Sequence, residues 1–128
     1  MIAAREYLDA AEAEVLAAIA RESLPDCARL LGAEGYQQPP HVLALIEALE
    51  RLERREIDRL IVEMPPRSSK STHVSRLLPA WWLGRHPEQS VILASYSDEL
   101  ATGHGRAVRD LLAHPRYPFD VRLRADMR

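Results

Sequence analysis

The sequence predicts an α/β protein, a parallel sheet with flanking helices, preceded by two N-terminal helices. Three observations lead there. Two short apolar runs, one of Leu60, Ile61 and Val62 and one of Val91, Ile92, Leu93 and Ala94, are continuous instead of alternating, the pattern of a strand buried on both faces. Segments with apolar residues at three- and four-residue steps lie before, between and after these runs. The resulting order of helix, helix, strand, helix, strand, helix calls for right-handed crossovers and parallel strands.

Each element has its own local reasons. Residues 2–22 carry Leu8, Ala11, Val15, Ala18 and Ile19 as an apolar stripe on an alanine-rich helix, and Pro25 stops it. Gly32, Gly35, Pro39 and Pro40 mark a loop. A second helix over 40–55 turns Val42, Leu45, Ile46, Leu49 and Leu52 inward, with Pro40 tolerated in the first turn. The pairs Glu47–Arg51 and Glu50–Arg54 run in the favourable direction, each adding about 0.3 kcal/mol. Residues 57–64 form the first strand, ended by Pro65 and Pro66, which cannot donate to a ladder. A helix from Lys70 points Val74, Leu77, Leu78 and Trp81 inward. Pro79 kinks or divides it and Gly84 caps its end. Residues 91–94 form the second strand. A last helix, capped by Ser95 or Ser97, has Leu100, His104, Ala107, Val108, Leu111 and Leu112 as its stripe, and Gly103 and Gly105 inside it each cost about 1 kcal/mol relative to alanine.

Composition bounds the function. A chain of 128 residues holds one ordinary domain. No apolar run approaches the roughly 18 residues of a membrane span. The first nine residues carry Arg5, Glu6 and Asp9 and have no signal-peptide core. Cys27, the single cysteine, fits a reducing cytoplasm and reads as a small buried hydrophobe. The formal charge of −2 divides into −6 over residues 1–63 and +4 over residues 64–128. The acidic front half argues against nucleic acid on that surface, and the basic back half is compatible with phosphates. Sixteen bases are arginine and only Lys70 is lysine. Such a bias toward arginine fits a nucleotide-composition bias, and Lys70 is then either a chance survivor or a position where a compact ammonium is needed in place of a planar fork.

Lys70 lies between the first strand and its helix, in the run Met64, Pro65, Pro66, Arg67, Ser68, Ser69, Lys70, Ser71, Thr72. A strand-to-helix loop is where an α/β protein binds phosphate. Six successive N–H groups from Arg67 to Thr72 can curl around an anion, and the positive end of the helix adds to them. Lys70 would reach the outer phosphates and the Ser71 hydroxyl would bind magnesium. Lys70 and Ser71 match the last pair of G-x-x-x-x-G-K-[ST], whereas Met64 and Ser69 occupy its glycine positions. If Ser69 needs a positive φ, serine costs about 1 kcal/mol there. His41, His73, His86, His104 and His114 show no ligand spacing.

Residues 61–71, with their Pro-Pro-Arg-Ser-Ser-Lys-Ser loop, resemble the nucleotide-binding loop of the large terminase subunit of tailed bacteriophages, in its N-terminal ATPase part. The resemblance continues through residues 79–87, 91–101 and 108–112, and upstream through His41 and the helix that leads to Leu60, over roughly residues 36–120. It implies a P-loop NTPase-type sheet, incomplete here. Residues 1–35 would be an N-terminal helical segment and residues 36–128 the first part of the ATPase domain, without its later strands and the nuclease domain. The implied function is ATP binding and hydrolysis coupled to DNA translocation, in the cytoplasm of a bacterial host. Double-stranded DNA, the small terminase subunit and the portal would be partners, together with self-association and no membrane. ATP and Mg²⁺ would be the cofactors. Arg67, Ser68, Ser69, Lys70, Ser71 and Thr72 would bind the nucleotide, with Arg67 approaching the γ-phosphate as the catalytic residue and Ser71 holding the metal. Tyr36 or Gln37 would contact adenine.

The sequence departs from that family in two places. Ser69 replaces the glycine before the lysine, and no strand ending in Asp-Glu follows, because Asp98 and Glu99 open a helix. Without that acidic pair, this stretch alone is expected not to turn over ATP. Two other classes remain open: a non-catalytic interaction module or prophage remnant, and a fragment of an unrelated P-loop kinase or helicase.

Overall fold

A computed structural model describes residues 2–124, with side chains from Asp9 onward. The Leu8 side chain of the first stripe and Arg128 of the basic tail lie outside the described residues. The described chain is helical: α1 (Ile2–Glu22), α2 (Leu24–Leu31), α3 (Pro40–Glu53), a π-helical segment (Thr72–Leu77) running directly into α4 (Leu78–Arg85), and α5 (Asp98–Leu112).

The expected parallel sheet, and with it the P-loop NTPase-type fold, is not there. Among the described residues no β-ladder forms. Residues 57–64 and 91–94 take no regular secondary structure, with a bend at Asp58, and bond to no neighbouring strand. The first of them alternates: Leu60, Val62 and Met64 pack on the helical core, and Ile61 between them is 87% exposed. In the second, Ile92 is 91% exposed. A continuous apolar run marks a strand only where other strands supply its hydrogen bonds. Here helices cover one face of each run, and nothing pairs with its backbone.

The core joins both ends of the chain. Leu24, Cys27, Ala28 and Leu31 of α2 meet Val42, Leu45, Ile46 and Leu49 of α3, with Leu77, Trp81 and Ala20 closing the cluster. The α3 face is the one its spacing predicts as far as Leu49, while in the last turn Glu53 is buried in place of Leu52. Of its two expected ion pairs, Glu50–Arg54 closes at 3.9 Å, while Arg51 turns to Glu56 at 3.4 Å. Burial pushes the Cys27 thiol up to about 12, so it is an inert packing group.

α1 docks on a different face from the one expected. Ala11, Val15, Ala18 and Ile19 are exposed, and Ala20 is fully buried. The small Ala20 lets a neighbouring indole come close, and Trp81 Nε1 donates to the Ala20 carbonyl at 3.1 Å. Pro25 does not simply end this helix. It sits in the first turn of α2, where a missing N–H does no harm, and the Ser23 hydroxyl accepts from Asp26 N–H as the cap. The Leu24 N–H, free at the start of α2, donates to Glu50 of α3 at 2.9 Å.

Pro79 divides its helix as expected, through a change of register. The preceding turn is π-helical, with Leu78 N–H bonding back five residues to the His73 carbonyl. That shift accommodates a proline that can neither donate nor approach the carbonyl four residues earlier. Gly84 is not the helix cap, since α4 runs on to Arg85 and His86 ends it. A Cβ on Gly84 would lie 2.7 Å from Phe119 Cε2 and closer still to Cδ2 and Cγ, so the glycine is there for close approach. Ser97 caps α5, its hydroxyl accepting from Leu100 N–H at 3.2 Å.

Candidate phosphate-binding loop

The loop before the π segment is built by the two prolines and a turn of alternating hand. After Pro66 the backbone takes φ +62° at Arg67 and +63° at Ser69, while Ser68 between them keeps a negative φ. Helical structure then begins at Lys70. Alternation of hand turns successive N–H groups toward one side, the geometry of an anion-binding nest. The helix that follows, residues 70–85, directs its positive end at the same place. Neither Arg67 nor Lys70 forms an ion pair among the described residues. The Ser68 hydroxyl oxygen is buried with no hydrogen-bond partner.

Arg67, Ser69, Ser71 and Thr72 are exposed, and Ser68 and Lys70 are half-buried. The loop therefore presents two unpaired cations, a strained turn and an orphaned hydroxyl on one short stretch of chain. That arrangement can hold a polyanion. Asp98 and Glu99 are exposed in the first turn of α5. Among the described residues no three of His, Cys, Asp and Glu cluster as a metal site. Ser71 offers one hydroxyl to magnesium, so any ion there would take its remaining ligands from phosphate and water.

A hydrogen-bond chain ties the loop to the core. His73, 1% exposed, sets Nδ1 at 2.7 Å from the Ser69 carbonyl and Nε2 at 2.7 Å from the Tyr36 hydroxyl. A carbonyl can only accept, so Nδ1–H donates to Ser69, and the other ring nitrogen, Nε2, pairs with the Tyr36 hydroxyl. Gln38 Nε2 in turn donates to the Tyr36 hydroxyl at 3.3 Å and to the Pro25 carbonyl at 2.8 Å. Burial, opposed by the Gln38 hydrogen bond and by Arg29, holds the Tyr36 hydroxyl above its ordinary pKa.

Tyr36 also lines a cavity of about 540 Å³ with Gly32, Thr72, Arg76, Asp110 and His114. Thr72 thus belongs both to the loop and to the cavity wall. Gln37, the alternative adenine contact, is exposed and does not line it.

Sequence reasoning passed over His73 as one histidine among five. The signal was available, because a histidine four residues after Ser69 can return its ring to the carbonyl that its own N–H approaches at 3.3 Å. Of the other histidines, His86 bonds Glu53 at 2.8 Å and His104 accepts from Arg76 at 3.4 Å. No helix of the described residues is long and apolar enough to cross a membrane. In comparisons with known proteins, the chain matches no family model, no curated protein and no solved structure.

Proposed function

We propose that this chain binds the phosphates of ATP on the loop of residues 67–72, and that it is the nucleotide-binding part of a phage DNA-packaging motor of the large terminase type. The observation that carries this reading is the turn of alternating hand at Arg67 and Ser69, followed by Lys70 at a helix start. The resemblance of the loop and of the segments after it supplies the link to terminases. Phosphate binding needs only the turn and the helix start; the terminase assignment rests on the sequence resemblance alone, since the sheet it implies does not form among the described residues.

In this reading the N–H groups of the loop take phosphate oxygens. Lys70 places a point charge on the outer phosphates, and Arg67 approaches the γ-phosphate from the exposed side. Ser71 would hold magnesium together with the phosphates, and the ion would supply charge neutralisation. This stretch binds and orients, and turnover needs an acidic pair it does not contain. In the complete motor, ATP hydrolysis would drive translocation of double-stranded DNA, with the small terminase subunit and the portal as partners.

The test is titration of a fluorescent ATP analogue against the wild type and Lys70→Ala at one salt concentration. Loss of the ammonium is expected to weaken binding at least about tenfold, the worth of one charge-assisted contact to phosphate. Equal affinity, or no binding by either protein, would sink the proposal. A second reading, a non-catalytic interaction module, would then take its place, favoured by the exposure of Ile61 and Ile92.

A further inference from the structure

We propose that His73 is a positioning residue that presets the phosphate loop by holding the Ser69 peptide in its left-handed conformation. The inference rests on the phosphate-binding reading for its functional meaning, and on geometry for its physical content. Ser69 has φ +63°, a region that serine does not favour. Such a residue keeps its conformation only where neighbours over-determine it. Two hydrogen bonds to one atom do so here: the Ser69 carbonyl oxygen accepts from His73 N–H at 3.3 Å and from His73 Nδ1–H at 2.7 Å.

The consequence follows from the planarity of the peptide. In a trans peptide the C=O and the next N–H point in opposite directions. Drawing the Ser69 carbonyl inward toward His73 therefore aims the Lys70 N–H outward, to the mouth of the turn where an anion would lie. The imidazole itself is fixed at its far end by the Tyr36 hydroxyl at 2.7 Å, and the two rings sit 5.8 Å apart, centroid to centroid. The ring is therefore a strut from the Tyr36 side of the core to the loop backbone. His73 also receives the five-residue bond from Leu78, so the strut stands at the start of the π-helical segment.

The experiment uses the full chain and three variants, each read in two ways. The first readout is affinity for the fluorescent ATP analogue. His73→Leu fills the space without donating, and is expected to bind roughly five- to tenfold more weakly, the effect of one net hydrogen bond. His73→Asn carries an amide N–H close to where Nδ1 lies, and is expected to stay within about threefold of the wild type. Tyr36→Phe keeps its ring and frees the far end of the strut, and should fall between them. A packing role would rank these variants in the reverse order, since leucine suits an apolar site better than asparagine.

The second readout is amide hydrogen exchange without ligand. In His73→Leu, exchange of the residue-73 amide, which bonds the Ser69 carbonyl, and of the residue-78 amide, which bonds the residue-73 carbonyl, should rise at least about tenfold, while α3 stays as protected as in the wild type. If leucine binds as tightly as asparagine, or if the amides of residues 73 and 78 open no more than those of α3, the inference is wrong. If neither the wild type nor Lys70→Ala binds the analogue, the proposed function has failed, and the exchange result still decides whether His73 holds the loop.

Discussion

Three glycines in helices of this chain should answer alanine in opposite ways, and the difference tests the packing directly. Gly103 and Gly105 in α5 have nothing within 4 Å of where a Cβ would stand. Each alanine there should stabilise by about 0.5–1 kcal/mol, through helix propensity and lower entropy of the unfolded chain. Gly84 in α4 gains less than that from propensity, being one residue from the helix end. Against this stands the Phe119 ring, whose Cε2 lies 2.7 Å from the new methyl, with Cδ2 and Cγ nearer. The ring packs against the core and touches Tyr117 at 5.5 Å between centroids, so it cannot yield freely. Overpacking of this kind costs about 1–3 kcal/mol. The net expectation for Gly84→Ala is a loss of about 1–2 kcal/mol, or roughly 3–8 °C in Tm for a domain of this size. In a Phe119→Ala background the obstacle is gone, and Gly84→Ala should become neutral or stabilising by up to about 0.5–1 kcal/mol. Denaturant titrations followed by circular dichroism, read as a double-mutant cycle, measure the reversal. A Gly84→Ala protein as stable as the wild type with Phe119 intact, or a cycle without a change of sign, would refute the placement of Phe119 over α4.

Two further outcomes concern charge and exposure. Burial opposes ionisation of Glu53, but hydrogen bonds from Arg85 at 2.9 Å and His86 at 2.8 Å overcome it and hold the carboxyl below its ordinary value of 4.5. A depressed carboxyl contributes stability above its unfolded pKa and loses it as the pH falls through the folded value. Glu53→Gln should therefore lower stability at neutral pH by about 1–3 kcal/mol and flatten the acid limb below about pH 4.5, as seen in urea midpoints across pH. Parallel acid limbs for the two proteins would contradict this. Ile61 and Ile92, 87% and 91% exposed on backbone that pairs with no strand, should drive self-association at rising concentration. Ile61→Lys with Ile92→Lys should reduce the mass seen by light scattering, and identical masses for both proteins would show that these segments do not associate.

Local pattern alone located most helices, because a helix closes its hydrogen bonds within a few residues. The inward face of α3, the Ser97 cap and the division of the helix at Pro79 all follow from neighbours in sequence. The loop with Lys70 was legible for the same reason, since prolines, serines and a lone lysine sit in one run. The sequence leaves the φ of Ser69 open, and the structure sets it at +63°. α2 was missed because Pro25 reads as a stop when its role as a first-turn residue depends on the Ser23 cap beside it.

What lay beyond the sequence was set by partners far away in the chain. Whether residues 57–64 and 91–94 become strands depends on other strands to bond with, and an apolar run carries no record of them. Which face of α1 is buried depended on Trp81, sixty-one residues after Ala20, reaching its carbonyl. Gly84 owes its lack of a side chain to Phe119, and His73 owes its buried place to Tyr36. Periodicity reports which residues can share a face, and capping reports where a helix can start. Only the packed structure decides what stands opposite that face, because that choice is made between segments that the sequence keeps apart.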